Sequence, residues 1–118
     1  MNNNNFSQKE NVLLVGVIYG ELDEEKVCEH LDELSLLAET AGGNVIRRFT
    51  QKISKVNSSY FIGKGKAEEI IRIAKDLKIS SIIFDDELSP SHLKNYNNLS
   101  KEIKIIDRSM LILEIFKQ

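Results

Sequence analysis

Two groups of residues in this chain have types and spacings suited to chemistry on a ligand. The first is Gly63-Lys64-Gly65-Lys66, directly ahead of an amphipathic stretch. Glycines before a helix let backbone N–H groups approach a phosphate, and a helix N-terminus favours anions. The second is Asp85, Asp86, Glu87 and Asp107, which follow the apolar runs Ser81–Phe84 and Ile103–Ile106. If those runs are parallel strands, the acids sit at the edge where open α/β sheets bind ligands. Paired carboxylates there could hold Mg²⁺ through oxygen. Each group also has a plainer reading, a tight turn into a helix for the glycines and helix caps for the acids. A phosphate-binding P-loop needs a longer glycine spacing and a Ser or Thr after its lysine. Here Gly65 follows Lys64 and Ala67 follows Lys66. A phosphoacceptor receiver domain would want an acid after the first apolar run, which instead reads Gly16-Val17-Ile18. His30 and His92 show no metal-ligand spacing, and Ser89 with Ser91 and His92 makes no hydrolase signature. The residues therefore assign no catalytic group and no metal ligand.

Charge is more informative. The formal net charge is −2, yet Arg47 to Lys66 holds six basic residues (Arg47, Arg48, Lys52, Lys55, Lys64, Lys66) and no acidic one, with Phe49, Tyr60 and Phe61 interleaved. Glu21 to Thr40 holds eight acidic residues and one lysine. Basic residues beside aromatics suit phosphate contact and base stacking. Candidates for RNA or phosphate binding are Arg47, Arg48, Lys52, Lys55, Tyr60, Gly63, Lys64, Gly65 and Lys66, with the six charges on one edge and the acidic helix turned away. The competing reading is a solvated edge with its aromatics in the core.

The elements that must position these groups follow from periodicity. Val12–Ile18 is a continuous apolar run, as in a strand covered on both faces. Val27, Leu31, Leu34, Ala38 and Ala41 recur at helical steps, with Asp23 as N-cap, Leu22 and Val27 as a hydrophobic staple, and Gly42-Gly43 as the stop. Asn44–Gln51 reads as a more polar edge strand, and Ala67, Ile70, Ile71, Ala74 and Leu77 as a second helical face. Ser81–Phe84 is a third strand. Ser89 caps a third helix with Pro90 at its first position. Ile103–Ile106 is a fourth strand, and a last helix starts near Arg108. Strands alternating with helices predict parallel pairing and right-handed crossovers. The expectation is an α/β fold of βαβαβαβα order, a four-stranded mostly parallel sheet in the order 2-1-3-4 with helices on both faces.

A chain of 118 residues with 42% hydrophobic and 29% charged residues suits one globular domain. Met1 to Glu10 is expected to be a disordered tail, with the domain spanning residues 11–118. The Asn-rich start lacks a signal peptide's apolar core, and no run approaches the roughly 18 apolar residues of a membrane span. The single cysteine, Cys28, allows no internal disulfide and reads as an inert thiol. These features predict a cytoplasmic protein without a membrane span.

Three segments resemble one family. They are Tyr60-Phe61-Ile62-Gly63-Lys64-Gly65-Lys66 with Glu68-Glu69, then Ile83-Phe84-Asp85-Asp86-Glu87-Leu88-Ser89-Pro90, then Ile105-Ile106-Asp107-Arg108-Ser109 with Leu111-Ile112-Leu113 and Ile115-Phe116; Ala38–Gly43 and Thr50-Gln51-Lys52 add to the match. Together they look like the N-terminal domain of HflX-type GTPases. The resemblance covers about Val12 to Phe116. It implies a ribosome-associated GTPase that acts on the large subunit and splits stalled or idle ribosomes. It implies an RNA-contacting role for this domain, which in the family is also linked to ATP binding. The family's helical segment and GTP-binding domain follow this region, so the resemblance implies that GTP and Mg²⁺ are bound there and that no cofactor or catalytic residue lies within these 118 positions. It implies as partners the large subunit, its rRNA and those C-terminal domains. The alternative is a small ATP-binding or ATP-hydrolysing domain built on Gly63–Lys66 and the carboxylates near Asp85.

Overall fold

A computed structural model describes residues 9–117. The expected disordered tail falls, for residues 1–8, outside the described residues. Within them, the Glu10 carbonyl already accepts the Asn44 N–H at 2.8 Å.

The elements run β1 (Asn11–Ile18), α1 (Glu24–Thr40), β2 (Asn44–Lys52), α2 (Lys64–Asp76), β3 (Ser81–Phe84), α3 (Pro90–Leu99), β4 (Lys104–Asp107) and α4 (Arg108–Phe116). The strands form one parallel sheet in the order β2-β1-β3-β4; this is the α/β fold that the alternating pattern predicts, and the strand order agrees with the expected one. Two cores sandwich the sheet. Leu13, Val15 and Val17 of β1 face Ala67, Ile70, Ile71 and Ala74 of α2 and Tyr96 of α3. Val12 and Leu14 face Val27, Leu31, Leu34 and Ala38 of α1 and Leu111 of α4.

The helix ends follow their local chemistry. The Asp23 carboxylate accepts the Lys26 N–H at 2.8 Å. At the other end of α1, Gly42 takes φ +96, and the Gly43 and Gly42 N–H groups donate to Ala38 and Glu39 at 2.9 and 3.0 Å. This pair of bonds closes the helix with a left-handed residue, where glycine carries no Cβ penalty. At α3 the cap is reciprocal. The Ser89 hydroxyl accepts the His92 N–H, and His92 Nδ1 accepts the Ser89 N–H, both at 3.1 Å.

One irregularity bears on function. The β1–β2 register slips between Val12/Leu13, with Val45 and Arg47 opposite successive β1 residues and Ile46 left over. A bulge of this kind switches the face that later residues point to. Val45 packs in the α1 core. Phe49, four residues on, packs in the α2 core.

Candidate functional site

The carboxyl edge of the sheet gathers the loops after each strand. The loop between β2 and α2 is stitched to α3 at several points. His92 Nε2 meets the Asn57 carbonyl at 2.8 Å, Asn95 donates to the Ser59 carbonyl at 2.9 Å, and the Tyr96 hydroxyl donates to the Tyr60 carbonyl at 2.8 Å. Because Nδ1 of His92 accepts a backbone N–H, its Nε2 must carry the proton in this arrangement. Burial pushes the Tyr96 hydroxyl far above the ordinary tyrosine range. The loop ends in Phe61 at φ +67 and Gly63 at φ +95.

Gly63 is the N-cap of α2, and Lys64, Gly65 and Lys66 form its first turn rather than a loop ahead of it. Of the two glycines, only Gly63 needs the left-handed region. Neither Gly63 nor Gly65 would bring a Cβ within 4 Å of another group, so the backbone there is open to approach. Lys64 and Lys66 are exposed. Lys66 reaches Glu69 at 3.4 Å, while Lys64 has no acidic partner among the described residues.

The two arginines of β2 do not share a face. Arg48 points to α1 and pairs with Asp32 at 2.7 Å. Arg47 points to the α2 side, with its guanidinium carbon 4.8 Å from the Phe49 ring centroid. Lys52 and Lys55 are exposed. Tyr60 lies edge-on to Tyr96 at 5.6 Å, and Phe61 is buried between Tyr19, Phe84 and His92. The acidic helix is thus joined to the basic strand through Asp32, and all three interleaved aromatics pack on the α2 side, Phe61 fully and Phe49 and Tyr60 in part.

Of the carboxylates at the strand ends, Glu87 is exposed, while Asp85, Asp86 and Asp107 each have partners. Asp107 is buried; its Oδ2 accepts the Leu88 N–H at 2.8 Å and its Oδ1 the Met110 N–H at 3.0 Å. Asp85 Oδ1 receives Nε and Nη2 of Arg108 at 2.7 and 2.6 Å, and its Oδ2 is 3.7 Å from His30 Nδ1. Arg108 also donates to the His30 carbonyl at 2.8 Å and lies 3.5 Å from Glu33. Among the described residues, no group of three or more His, Cys, Asp or Glu is placed to hold a metal ion. Residue patterns alone gave Arg108 and His30 no role. The available signal was a long cation placed directly after the fourth strand, within reach of the acids that follow the third.

Asp86 accepts the Tyr19 hydroxyl at 3.2 Å. Burial raises its carboxyl above the ordinary range and outweighs the lowering effect of Tyr19; Asp85 adds to the rise and His30 opposes it. An acid raised in the fold binds its proton more tightly folded than unfolded. Its contribution is therefore complete below the ordinary Asp value of about 3.9 and is lost as pH rises through the folded value. Asp86→Asn keeps an acceptor for Tyr19 and carries no charge. It should be more stable than the parent at neutral pH, with the difference closing below pH of about 4. Urea unfolding at both pH values checks this, and equal midpoints at neutral pH would refute it.

The sequence profile described as "GTP-binding GTPase N-terminal" matches residues 28–117, most of the chain. The chain belongs to the HflX-type GTPase N-terminal domain family. A GTPase HflX of Flavobacterium psychrophilum is 47% identical over 109 residues, which cover 92% of this chain and 26% of that protein. GTPase HflX of Escherichia coli is 37% identical over 95 residues, 80% of this chain and 22% of that one. The crystal structure of a GTP-binding protein from the archaeon Sulfolobus solfataricus in complex with GDP superposes with TM-score 0.67 at 25% identity, covering 91% of this chain and 30% of that one. The chain thus spans about a quarter of the length of the curated relatives it matches. No helix of the described residues is long and apolar enough to cross a membrane.

Proposed function

We propose that this HflX-type N-terminal domain contacts ribosomal RNA on the large ribosomal subunit in the cytoplasm. It does so as part of a GTPase that splits or rescues ribosomes, while GTP and Mg²⁺ are handled by the GTPase's other domains and by no residue of this one. The observation that carries this reading is the unneutralised charge of one segment. Arg47, Lys52, Lys55 and Lys64 have no acidic partner among the described residues, and beside Lys64 the glycines leave the start of α2 open. Backbone N–H groups and lysines together fit a phosphate. The carboxylates favour no nucleotide reading, since Asp107 and Asp85 spend their oxygens on backbone N–H groups and Arg108.

The test is a salt titration of binding to large-subunit rRNA. Four phosphate contacts predict that log K falls with log salt at a slope of about −3. Replacing Lys64 and Lys66 together with alanine should flatten the slope by roughly one unit. Thermal unfolding should not change, because both side chains are exposed. An unchanged slope and affinity in the double variant would make this turn purely structural.

A further inference from the structure

The sheet sorts the basic strand into an occupied half and an available half. Arg48 faces the acidic helix, and its charge is spent on Asp32. Any nucleic acid approaching that face also meets Glu33, at 65% side-chain exposure. Arg47 faces the other way. It is exposed, it lies over the half-buried Phe49 ring, and it has no acidic partner among the described residues. Of the three aromatics between Arg47 and Lys66, Phe61 is buried and Tyr60 is engaged edge-on with Tyr96. Arg47 therefore presents the available flat surface of the segment.

A guanidinium is planar, always charged and weakly hydrated, so it stacks on flat rings where a lysine ammonium cannot. With the Phe49 ring centroid 4.8 Å from its guanidinium carbon, one side of Arg47 already meets a ring, a contact that orders the side chain. The other face can take a second flat group without paying that ordering cost again. Nucleobases become flat, accessible groups only where RNA is unpaired, in loops, bulges and single strands; in an A-form duplex their faces are stacked away.

We infer that the Arg47–Phe49 pair is a stacking platform for an unpaired RNA base, and that it makes this domain select single-stranded over duplex RNA. Base, guanidinium and Phe49 ring form one stack, with the positive charge held close to the flanking phosphates. Arg48, one residue away, takes no part. This rests on the RNA-contacting reading above and specifies which residue and which RNA conformation carry it.

The experiment measures binding of a short single-stranded RNA and of its duplex at low salt, by fluorescence anisotropy, for the parent and three variants. The parent should prefer the single strand. Arg47→Ala should weaken single-strand binding about tenfold, with much less effect on the duplex. Arg47→Lys, which keeps the charge but not the plane, should retain the salt slope yet recover little of the affinity. Arg48→Ala should stay within about twofold of the parent, because its charge is already neutralised. If Arg47→Lys binds like the parent, the contact is charge alone and the platform is wrong. If Arg47→Ala and Arg48→Ala weaken binding equally, the division between faces is wrong. Parent protein that binds neither RNA at low salt overturns the RNA reading together with this one.

Discussion

Replacing Asp107 with alanine should cost about 3 kcal/mol of folding stability. The carboxylate makes two separate bonds, each with its own consequence. Through Oδ1 it caps α4 at Met110, and losing a cap of this kind costs about 1 kcal/mol. Through Oδ2 it satisfies the Leu88 N–H in a buried setting. Alanine leaves that N–H without a partner, which costs about 1–3 kcal/mol. For a domain of this size the sum lowers the melting temperature by roughly 12 °C, at about 4 °C per kcal/mol. Asn does not rescue the site, since its single oxygen serves one N–H and its amide nitrogen opposes the other. Ser can reach the cap but not Leu88, so Asp107→Ser should recover only about the cap's 1 kcal/mol. Thermal and urea unfolding of the three variants measure the split. A cost below about 1 kcal/mol for alanine would mean that the Leu88 bond contributes nothing. The same result separates two roles for this carboxylate, because an acid kept for a cation would be removable at little cost to the fold.

How much of this was legible in the sequence differs by residue. Asp23, Ser89, Pro90 and Gly42-Gly43 act over one helical turn, and local signals of that kind survive any tertiary context. The apolar periods of α1 and α2 also carried over, because each helix buries the face its spacing marks. The observed sheet order agrees with the expected one, but no local signal selected it among the orders that alternating parallel strands allow. The charged surface was less legible. The basic run from Arg47 to Lys66 is contiguous in sequence, but a strand turns neighbouring side chains to opposite faces. That alone separates Arg47 from Arg48, and the bulge at Ile46 then decides which of them meets α1. Pairing Asp32 with Arg48 needs the helix and strand to be adjacent, 16 positions apart in the chain. The clamp of Arg108 on Asp85 and the His30 carbonyl spans three elements, and nothing in the local spacing of any one of them announces it. Gly16 was legible in principle, since an isolated glycine inside an apolar strand run signals a close backbone approach.

That approach supports the last expectation, that Gly16→Val destabilises the domain by about 3 kcal/mol through overpacking. Gly16 sits in β1 opposite Thr50 of β2. A Cβ built there would stand 2.8 Å from Val27 Cγ1 and 3.0 Å from Leu31 Cδ1. Both atoms belong to the apolar stripe of α1, so the helix rests directly on the strand backbone. Even alanine forces the helix outward by a few tenths of an ångström, and valine adds two more methyl groups to the same gap. The displacement reaches the charged surface, because α1 carries Asp32 and Glu33 and the His30 carbonyl that hold Arg48 and Arg108. Moving α1 away should loosen the Arg48–Asp32 pair and return a positive charge to the far side of β2. Arg47 lies on the opposite face, so Gly16→Ala should lower stability with little change in the salt dependence of RNA binding. The cause can be isolated by a compensating truncation. Val27→Ala alone should cost about 2 kcal/mol as a cavity, but it removes the methyl that a new Cβ would strike. Gly16→Ala with Val27→Ala should then be more stable than the two single effects predict, by about 1–2 kcal/mol of coupling. Strict additivity in that cycle would show that the close contact between β1 and α1 is not what requires glycine at this position.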